Sequence, residues 1–372
     1  MTTITFTDEQ EEFRTIVRQF LESRSPESAV RQLMETELGY DPTVWSQMAA
    51  QLALQGLVVP EAYGGQGFGQ IELTIALEEM GRVLLCAPFF ATVVLAANAL
   101  LLSADAEANA KYLPGLAGGE TIATVAFAEP NGRWDTSGIE TTAAKTDGSW
   151  RLTGTKSYVL DGCAAQLIIV AARTESGISL FAVDGDASGL TRTSLATMDQ
   201  TRKLAKIDLD QVPATLVGVD GAGADVLNRV LDLAAVGLAA EQVGGMQRVL
   251  EMAVQYAKDR VQFGRPIGSF QAIKHKCADM LLEVESAKSA AYHAAACAAD
   301  SSDELPSAAS LAKAYCSEAY SHTTAENIHI HGGIGFTWEH SAHLYFKRAK
   351  SSELMFGDPG YHREQLAQRI GI

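Results

Sequence analysis

Two short segments in the last third of the chain carry the side chains best suited to hold a flat, anionic ligand. The first runs from Arg260 to Gln271 and reads RVQFGRPIGSFQ; the second runs from His331 to Thr337 and reads HGGIGFT. A guanidinium such as that of Arg260 can pair with a pyrophosphate, and the ring of Phe263 can line a flat ring system. The two residues are three apart, so on a helix or its last turn they would share one face.

The second segment is a glycine motif. Gly332, Gly333 and Gly335 let a backbone approach a ligand closely or adopt a positive φ, where a side chain would obstruct. Alone, such a motif is more often a turn between two helices. Its pairing with the Arg260 segment favours a ligand-binding loop.

The composition limits the kinds of partner. A chain of 372 residues can bury a large core and is expected to divide into two or three subdomains. Its net charge of −16 argues against nucleic acid or an anionic membrane surface as the main partner. The cysteines show no C-x-x-C spacing, so neither a disulfide framework nor a metal site is expected. They are Cys86, Cys163, Cys277, Cys297 and Cys316.

The first eight residues, MTTITFTD, have no basic region followed by an apolar core. No apolar run reaches about eighteen residues, the length that a membrane span needs. We therefore expect a cytoplasmic protein without a membrane span.

Three consecutive regions differ in their pattern. Apolar positions at three-and-four spacing predict helices from Thr7, a suitable N-cap, to about residue 117. Short β-rich runs predict strands from about 120 to 215. Stretches rich in Ala and Leu predict helices again, at 234–260, 271–300 and 305–328.

This order predicts an α+β multidomain fold. The expected parts are an N-terminal α-helical domain at 1–118, a middle antiparallel β-domain at 119–220, and a C-terminal four-helix bundle at 221–372 that binds the ligand and oligomerises.

Taken together, the two segments resemble the paired flavin-binding signatures of the acyl-CoA dehydrogenase family. The loop PEAYGG at 60–65 resembles another element of that family, and the order of domains extends the resemblance over the whole chain. The resemblance implies an FAD between the β-domain and the C-terminal bundle, shared with a neighbouring subunit. A family glutamine usually stands where His329 is. The implied FAD-binding residues are Arg260, Phe263, Gln271, His329, Gly332, Gly333, Phe127 and Tyr158.

The family removes the α-proton of an acyl-CoA thioester with a carboxylate while the β-hydride passes to the flavin. The resemblance therefore implies an oxidoreductase that acts on CH–CH bonds in lipid β-oxidation. It also implies a CoA-thioester substrate, an electron-transfer flavoprotein or similar acceptor, and a tetramer, either homomeric or with a paralogous subunit.

The catalytic carboxylate is not where the family pattern puts it. The usual position falls on Phe356, and a second known position falls on Ala234. Glu241 is our candidate, because it lies seven residues after Ala234, about two helical turns, on nearly the same face of a small and apolar helix. The alternative is a structural ion pair. Asp358 and Glu353 are the second and third candidates, and each also fits a helix-end or surface acid.

The β-domain departs from the family too. AEPNGRWD at 128–135 stands for the family's Thr-Glu-Pro-x-x-Gly-Ser-Asp loop, and Leu160 stands for a threonine that donates toward the flavin. Leu160 cannot make that bond. Tyr158 can still stack on a flavin.

Three functions stay open. The first is an FAD-dependent dehydrogenase of a bulky acyl-CoA, such as a steroid side chain, with Glu241 as base. The second is a non-catalytic or half-site subunit of a heteromeric acyl-CoA dehydrogenase. The third is a flavin oxidase or monooxygenase relative, since one fold can host several chemistries.

Overall fold

A computed structural model describes residues 6–146 and 148–372. These residues form two compact units. The helical unit contains the described residues up to Val30, residues 70–85 and residues 235–372. The β-rich unit contains residues 31–69 and 86–234. The boundaries of these two units fall at other residues than the boundaries of the three predicted domains. The predicted domain boundaries therefore stay a prediction.

Eleven α-helices occur among the described residues. They are α1 (Asp8–Arg24), α2 (Glu27–Met34), α3 (Pro42–Leu52), α4 (Gln70–Arg82), α5 (Asn98–Ser103), α6 (Ala106–Ala117), α7 (Gly223–Asp259), α8 (Gln271–Ala299), α9 (Leu305–His331), α10 (Ala342–Leu354) and α11 (Pro359–Ile370). A π-helix at Phe90–Ala97 leads into α5.

The first helix begins where its capping residue predicts. The Thr7 hydroxyl accepts from the Gln10 amide at 3.2 Å, and the Gln10 side chain accepts from the Thr7 amide at 3.0 Å. This reciprocal capping box satisfies two backbone donors that the helix leaves unpaired. The predicted N-cap at Thr7 is confirmed.

Within the helical unit, α9 packs against α8, α10 and α11, and α1 packs on α4. The long helix α7 is tied to α9 by Gln242, whose side chain donates to the Ser317 hydroxyl at 3.0 Å. The predicted helices at 271–300 and 305–328 correspond closely to α8 and α9. The sequence pattern becomes helical again from about residue 225, and helix α7 begins close to that point, at Gly223, ahead of the helix predicted at 234–260.

Helices α4 and α7 cross with their backbones in contact. A Cβ on Gly81 of α4 would lie 2.0 Å from the Glu241 carbonyl oxygen, and a Cβ on Gly244 of α7 would lie 1.8 Å from the Glu78 carbonyl oxygen. No side chain fits at either position. Glu78 itself lies on α4, and its carboxylate accepts from Arg14 and from the Tyr292 hydroxyl, both at 2.8 Å.

The β-rich unit holds one seven-stranded sheet. Its strands are β1 (Ala123–Ala126), β2 (Thr142–Thr146), β3 (Ser149–Leu160), β4 (Leu167–Thr174), β5 (Gly177–Asp184), β6 (Leu190–Ser194) and β7 (Leu204–Val217). The pairing runs β4-β2-β3-β7-β5 and returns to β4, so the sheet closes on itself. Strand β6 pairs with β7. A short hairpin of β8 (Val261–Gln262) and β9 (Arg265–Pro266) belongs to the helical unit.

The sheet is mixed rather than purely antiparallel as predicted. Strand β1 pairs with β4 in parallel, with Ala123 opposite Leu167, and β2 also meets β4 in parallel. The long connection from β1 to β4 contains the β2–β3 hairpin and lets the two strands run in the same direction. The remaining pairings are antiparallel.

Adding one methyl group at the α4–α7 crossing tests its tightness. We expect Gly244→Ala to lower the free energy of unfolding by about 3 kcal/mol or more, because the new Cβ meets a backbone oxygen that cannot rotate away. Urea denaturation followed by circular dichroism measures the loss. Gly118→Ala is the matched control, since a Cβ there meets nothing closer than 3.4 Å and its φ is −73°. An unchanged denaturation midpoint for Gly244→Ala would contradict the backbone contact.

Candidate functional site

The Arg260 segment is a hairpin and not a helix face. Helix α7 ends at Asp259, and β8 and β9 pair on either side of Phe263 and Gly264. These two residues have φ of 53° and 77°, the pattern of a two-residue hairpin turn. The prediction that Arg260 and Phe263 share a helical face is therefore wrong, because positive φ at the tip turns the chain back.

The turn presents the Phe263 ring to solvent, with 91% of the residue exposed. Phe270 meets that ring edge-on, at 6.1 Å between ring centroids. The Arg260 backbone closes the base of the hairpin: its amide donates to the Tyr256 carbonyl and its carbonyl accepts from the Ile267 amide, both at 2.8 Å. Both Arg260 and Gln271, the first residue of α8, are exposed. The segment thus offers a guanidinium, an aromatic ring and an amide on an accessible surface.

The glycine loop after α9 forms an open backbone surface. Gly332 has φ 62° and ψ −141°, a conformation that favours glycine. A Cβ added at Gly332 or at Gly333 would meet no heavy atom within 4 Å. At Gly335, in contrast, a Cβ would lie 2.8 Å from the His331 Cβ, so this glycine is required by packing. The first two glycines therefore leave room for a ligand, and the third holds the loop.

Aromatic stacking anchors this loop to the bundle. The His331 ring stacks on Tyr256 of α7 at 4.2 Å between centroids and also contacts His340 at 4.4 Å. His331 Nδ1 lies 2.8 Å from the Asn327 carbonyl oxygen, one turn back on α9. Burial lowers the pKa of His331, so the ring is neutral near pH 7. His329 is exposed, and its Nδ1 lies 3.0 Å from the Glu326 carboxylate.

A buried ion pair sets the backbone of the β-rich unit near Phe127. Lys156 is fully buried, and its Nζ donates to Glu129 Oε1 at 2.6 Å and to the Phe127 carbonyl at 3.1 Å. The Glu129 carboxylate also accepts from the backbone amides of Glu140 and Thr141, both at 2.9 Å. Burial alone would raise the pKa of Glu129, but Lys156 and the Thr141 amide outweigh it and hold that pKa below its ordinary value.

Tyr158 is turned outward by a β-bulge. The pairing of β3 with β7 shifts register between Lys156 and Val159, and Tyr158 has φ 58°. A bulge of this kind redirects a side chain, and 45% of Tyr158 is exposed. The Trp134 ring lies between it and Phe127, with centroid distances of 6.2 Å and 6.0 Å. Phe127 itself is buried, so its ring belongs to the core.

Neither family position for the catalytic base carries a carboxylate. Phe356 is buried with φ 60°, and Ala234 is fully buried. The turn around Phe356 is held from both sides: the Phe356 carbonyl lies 3.0 Å from His362 Nε2, and the Gly357 carbonyl accepts from Lys313 Nζ at 2.9 Å. The backbone at this position is thus well supported although the side chain is apolar.

Glu241 is buried and paired. Its Oε1 accepts from Arg348 Nη1 of α10 at 2.5 Å, and both residues are less than one tenth exposed. Breaking such a pair leaves a buried charge uncompensated, which is costly. Of the other candidates, Asp358 caps α11 by accepting from the Tyr361 amide at 2.8 Å. Glu353 pairs with Lys350 and accepts from the Ser321 hydroxyl.

Sequence reasoning missed the Lys156–Glu129 pair. A lysine and a glutamate inside β-rich segments are signals for a buried pair, since a lone charge is rarely tolerated there. For Arg348, the sequence favours pairing with an acid of a neighbouring helix, and the structure confirms this, but it does not identify Glu241 as the partner, which lies 107 residues away in the sequence.

The domain order and these two signature segments define a flavoprotein-like dehydrogenase class, and comparison with known proteins agrees. Residues 7–120, 124–212 and 221–371 match the family profiles described as the N-terminal, middle and C-terminal domains of acyl-CoA dehydrogenase. The chain belongs to the acyl-CoA dehydrogenase family and is an oxidoreductase of the class that acts on CH–CH bonds. The predicted family and fold class are confirmed.

Individual relatives cover nearly the whole chain. Acyl-CoA dehydrogenase IpdE2 of Mycolicibacterium smegmatis is 37% identical over 360 residues, covering 96% of this chain and 97% of that protein. A variant of the Tcur3481-Tcur3483 steroid ACAD is 33% identical with a TM-score of 0.88 and coverage of 98% for both chains. The ChsE4-ChsE5 complex from Mycobacterium tuberculosis is 28% identical with a TM-score of 0.90, again with 98% of both chains covered.

Over residues 6–146 and 148–372, no helix combines the length and the apolar character that crossing a membrane requires.

The contact between His362 and the Phe356 turn predicts a pH dependence. Burial, assisted by the ammonium of Lys313, lowers the pKa of His362 to about 3 from an ordinary 6.5. The unfolded chain therefore binds a proton between these two values that the folded chain does not. The stability that neutral His362 contributes is complete above pH 6.5 and is lost as pH falls toward 3, by about 1.4 kcal/mol per pH unit.

The measurement is urea denaturation of the protein and of His362→Gln at several values between pH 5 and pH 7.5. Glutamine can still donate to the Phe356 carbonyl but takes up no proton, so the acid loss of stability should be shallower by about one proton. Equal slopes for the protein and His362→Gln would contradict the burial argument.

Proposed function

We propose that the chain binds FAD and works as an acyl-CoA dehydrogenase on a bulky, steroid-like acyl-CoA thioester. The observation that carries the proposal is the pair of accessible signature segments, the Phe263 hairpin and the open backbone at Gly332 and Gly333. Both are conformationally set before any ligand arrives. Family members are flavoproteins, which supports FAD as the cofactor.

The residues present suit an FAD. Arg260 would pair with the pyrophosphate, the exposed ring of Phe263 would cover an apolar part, and Gln271 would donate a hydrogen bond. His329, Gly332 and Gly333 would contact the part of the cofactor that reaches a neighbouring subunit. In the β-rich unit, Tyr158 would stack on the flavin ring and the Phe127 backbone would lie beside it. When bound, FAD supplies the acceptor for a hydride from the substrate.

The steroid-like substrate class is supported by two observations. One structural relative is described as a steroid ACAD, and the IpdE2 relative is similar over nearly its full length.

Glu241 is the proposed base. Its carboxylate would accept the α-proton of the thioester, and Arg348 would keep the buried carboxylate oriented. Tetrameric assembly, an electron-transfer flavoprotein as acceptor and a cytoplasmic location complete the proposal.

A second candidate function is a subunit of a heteromeric acyl-CoA dehydrogenase in which a paralogous partner supplies the base. The observation that favours it is the combination of Phe356 and Ala234 at the family base positions with a Glu241 already engaged by Arg348. Two of the structural relatives carry paired names, one of them described as a complex.

Replacing Glu241 separates catalysis from packing. If Glu241 is the base, Glu241→Gln should slow flavin reduction by a working steroid-like acyl-CoA by at least about 100-fold, measured as loss of flavin absorbance in stopped flow. The matched control is Glu251→Gln, which removes another carboxylate of α7. That carboxylate accepts two hydrogen bonds from Arg82, at 3.0 Å and 2.9 Å. Equal rates for the protein and Glu241→Gln would assign Glu241 a structural role only.

The assembly is tested with the chain purified alone. A self-sufficient enzyme should give a tetramer by native mass spectrometry with one oxidised flavin per chain in its visible spectrum. The heteromeric candidate instead predicts substoichiometric flavin that becomes complete only when a paralogous partner is co-expressed. A full flavin complement on the isolated chain together with substrate-dependent reduction would eliminate the heteromeric candidate.

A further inference from the structure

A histidine, a cysteine and a glutamate meet where α8 ends and α9 begins. His293 and Cys297 are four residues apart on α8 and therefore share a face. Glu304 stands immediately before α9. One possible ligand atom from each of the three side chains lies within 4.8 Å of the others. In the part of the chain that the structure describes, no second group of three such side chains comes this close together.

The spacing of the two helical ligands fits one metal ion. His293 Nε2 lies 3.8 Å from Cys297 Sγ. Zinc binds sulfur at about 2.3 Å and imidazole nitrogen at about 2.0 Å, so two tetrahedral ligands of this kind lie about 3.6 Å apart. A small rotation of the side chains would bring both atoms to bonding distance of a single ion.

The connection between α8 and α9 brings the third ligand to this pair. Ser301 adopts φ 50°, and the Ser302 amide donates to the Cys297 carbonyl at 2.9 Å, so the chain folds back over the last turn of α8. Glu304 follows directly, and its carboxylate makes no capping bond to α9. The loop therefore places an exposed carboxylate beside a buried thiol and a half-buried imidazole.

The local charge also suits a cation. The carboxylates of Glu304 and Asp300 both lie close enough to Cys297 to act on it electrostatically. A divalent cation would offset much of this negative charge and would release the thiol proton as it binds the thiolate. Thiolate, imidazole and carboxylate together form a ligand set that zinc accepts readily.

We propose that His293, Cys297 and Glu304 form a zinc site with a fourth position for water. The ion would join α8 to the start of α9 and stabilise that corner of the helical unit. The cysteine spacing predicts no such site, because only one cysteine takes part. Its partners are His293, one turn earlier on α8, and Glu304 in the following loop. The site is independent of the FAD proposal, since none of its residues belongs to the signature segments.

Cobalt is the probe, because a cysteine thiolate bound to Co²⁺ gives a charge-transfer absorption that oxygen and nitrogen ligands lack. The metal-free full-length chain is titrated with Co²⁺ and then with Zn²⁺. We expect one equivalent of Co²⁺ to produce the absorption and one equivalent of Zn²⁺ to displace it. Cys297→Ser should abolish the absorption and weaken zinc binding at least about 100-fold. Cys277→Ser, a half-buried cysteine outside the cluster, is the control and should change neither.

Two further variants keep the test decisive, because Cys297 is buried and its replacement can disturb folding. His293→Gln and Glu304→Gln alter less buried positions and should each weaken zinc binding about tenfold or more. They should also reduce the rise in melting temperature that zinc produces in the unmodified protein. The proposal is overturned if stoichiometric Co²⁺ gives no thiolate absorption, or if the zinc affinity is the same in all three cluster variants as in the protein, which would identify an adventitious surface ion only.

Discussion

The helical unit depends on a crossing at which α4 and α7 touch backbone to backbone. Gly81 and Gly244 are the two positions that allow it, and each leaves less than a side chain's width to the opposite carbonyl. The crossing presses the Glu241 backbone against α4, while the Glu241 side chain reaches across to Arg348 on α10. Helix α10 returns to the end of α4 through the Tyr345 hydroxyl, which donates to the Arg82 carbonyl at 2.6 Å. Each of the helices α4, α7 and α10 thus contacts the other two, and Glu241 lies where α7 meets α10.

The proposed ligand-binding groups are supported in two different ways. In the helical unit they stand on short turns whose backbone is set by positive φ at Phe263, Gly264 and Gly332. In the β-rich unit they depend on the buried Lys156–Glu129 pair, which holds the Phe127 carbonyl. Both arrangements restrict the backbone before a ligand binds, which lowers the ordering cost of binding.

Much of this could be predicted from the sequence, and the failures have physical causes. Helices α8 and α9 follow from apolar periodicity and strong helix formers, and the family follows from two motifs with known spacing. Residue spacing alone places Arg260 and Phe263 on one helix face, because it does not reveal that Phe263 adopts a positive φ. Strand β7 lies almost entirely within the region predicted to hold strands, but Pro213 and the polar side chains of Asp208, Asp210 and Gln211 obscure its alternation, so its bounds do not follow from the pattern. The partner of Glu241 could not be found, since a contact between residues 107 positions apart leaves no local pattern.

The Glu241–Arg348 pair also limits how this chain can change over time. A mutation that removes one partner leaves the other as an uncompensated charge in the interior, and such a change costs about 3–5 kcal/mol. Most domains have a total stability of only about 5–15 kcal/mol, so an intermediate with one partner lost is at a selective disadvantage. Replacement of the pair by two apolar residues would be tolerated far better, but it needs both codons to change together. The two positions should therefore change together, and descendants of this sequence should carry either both charges or neither.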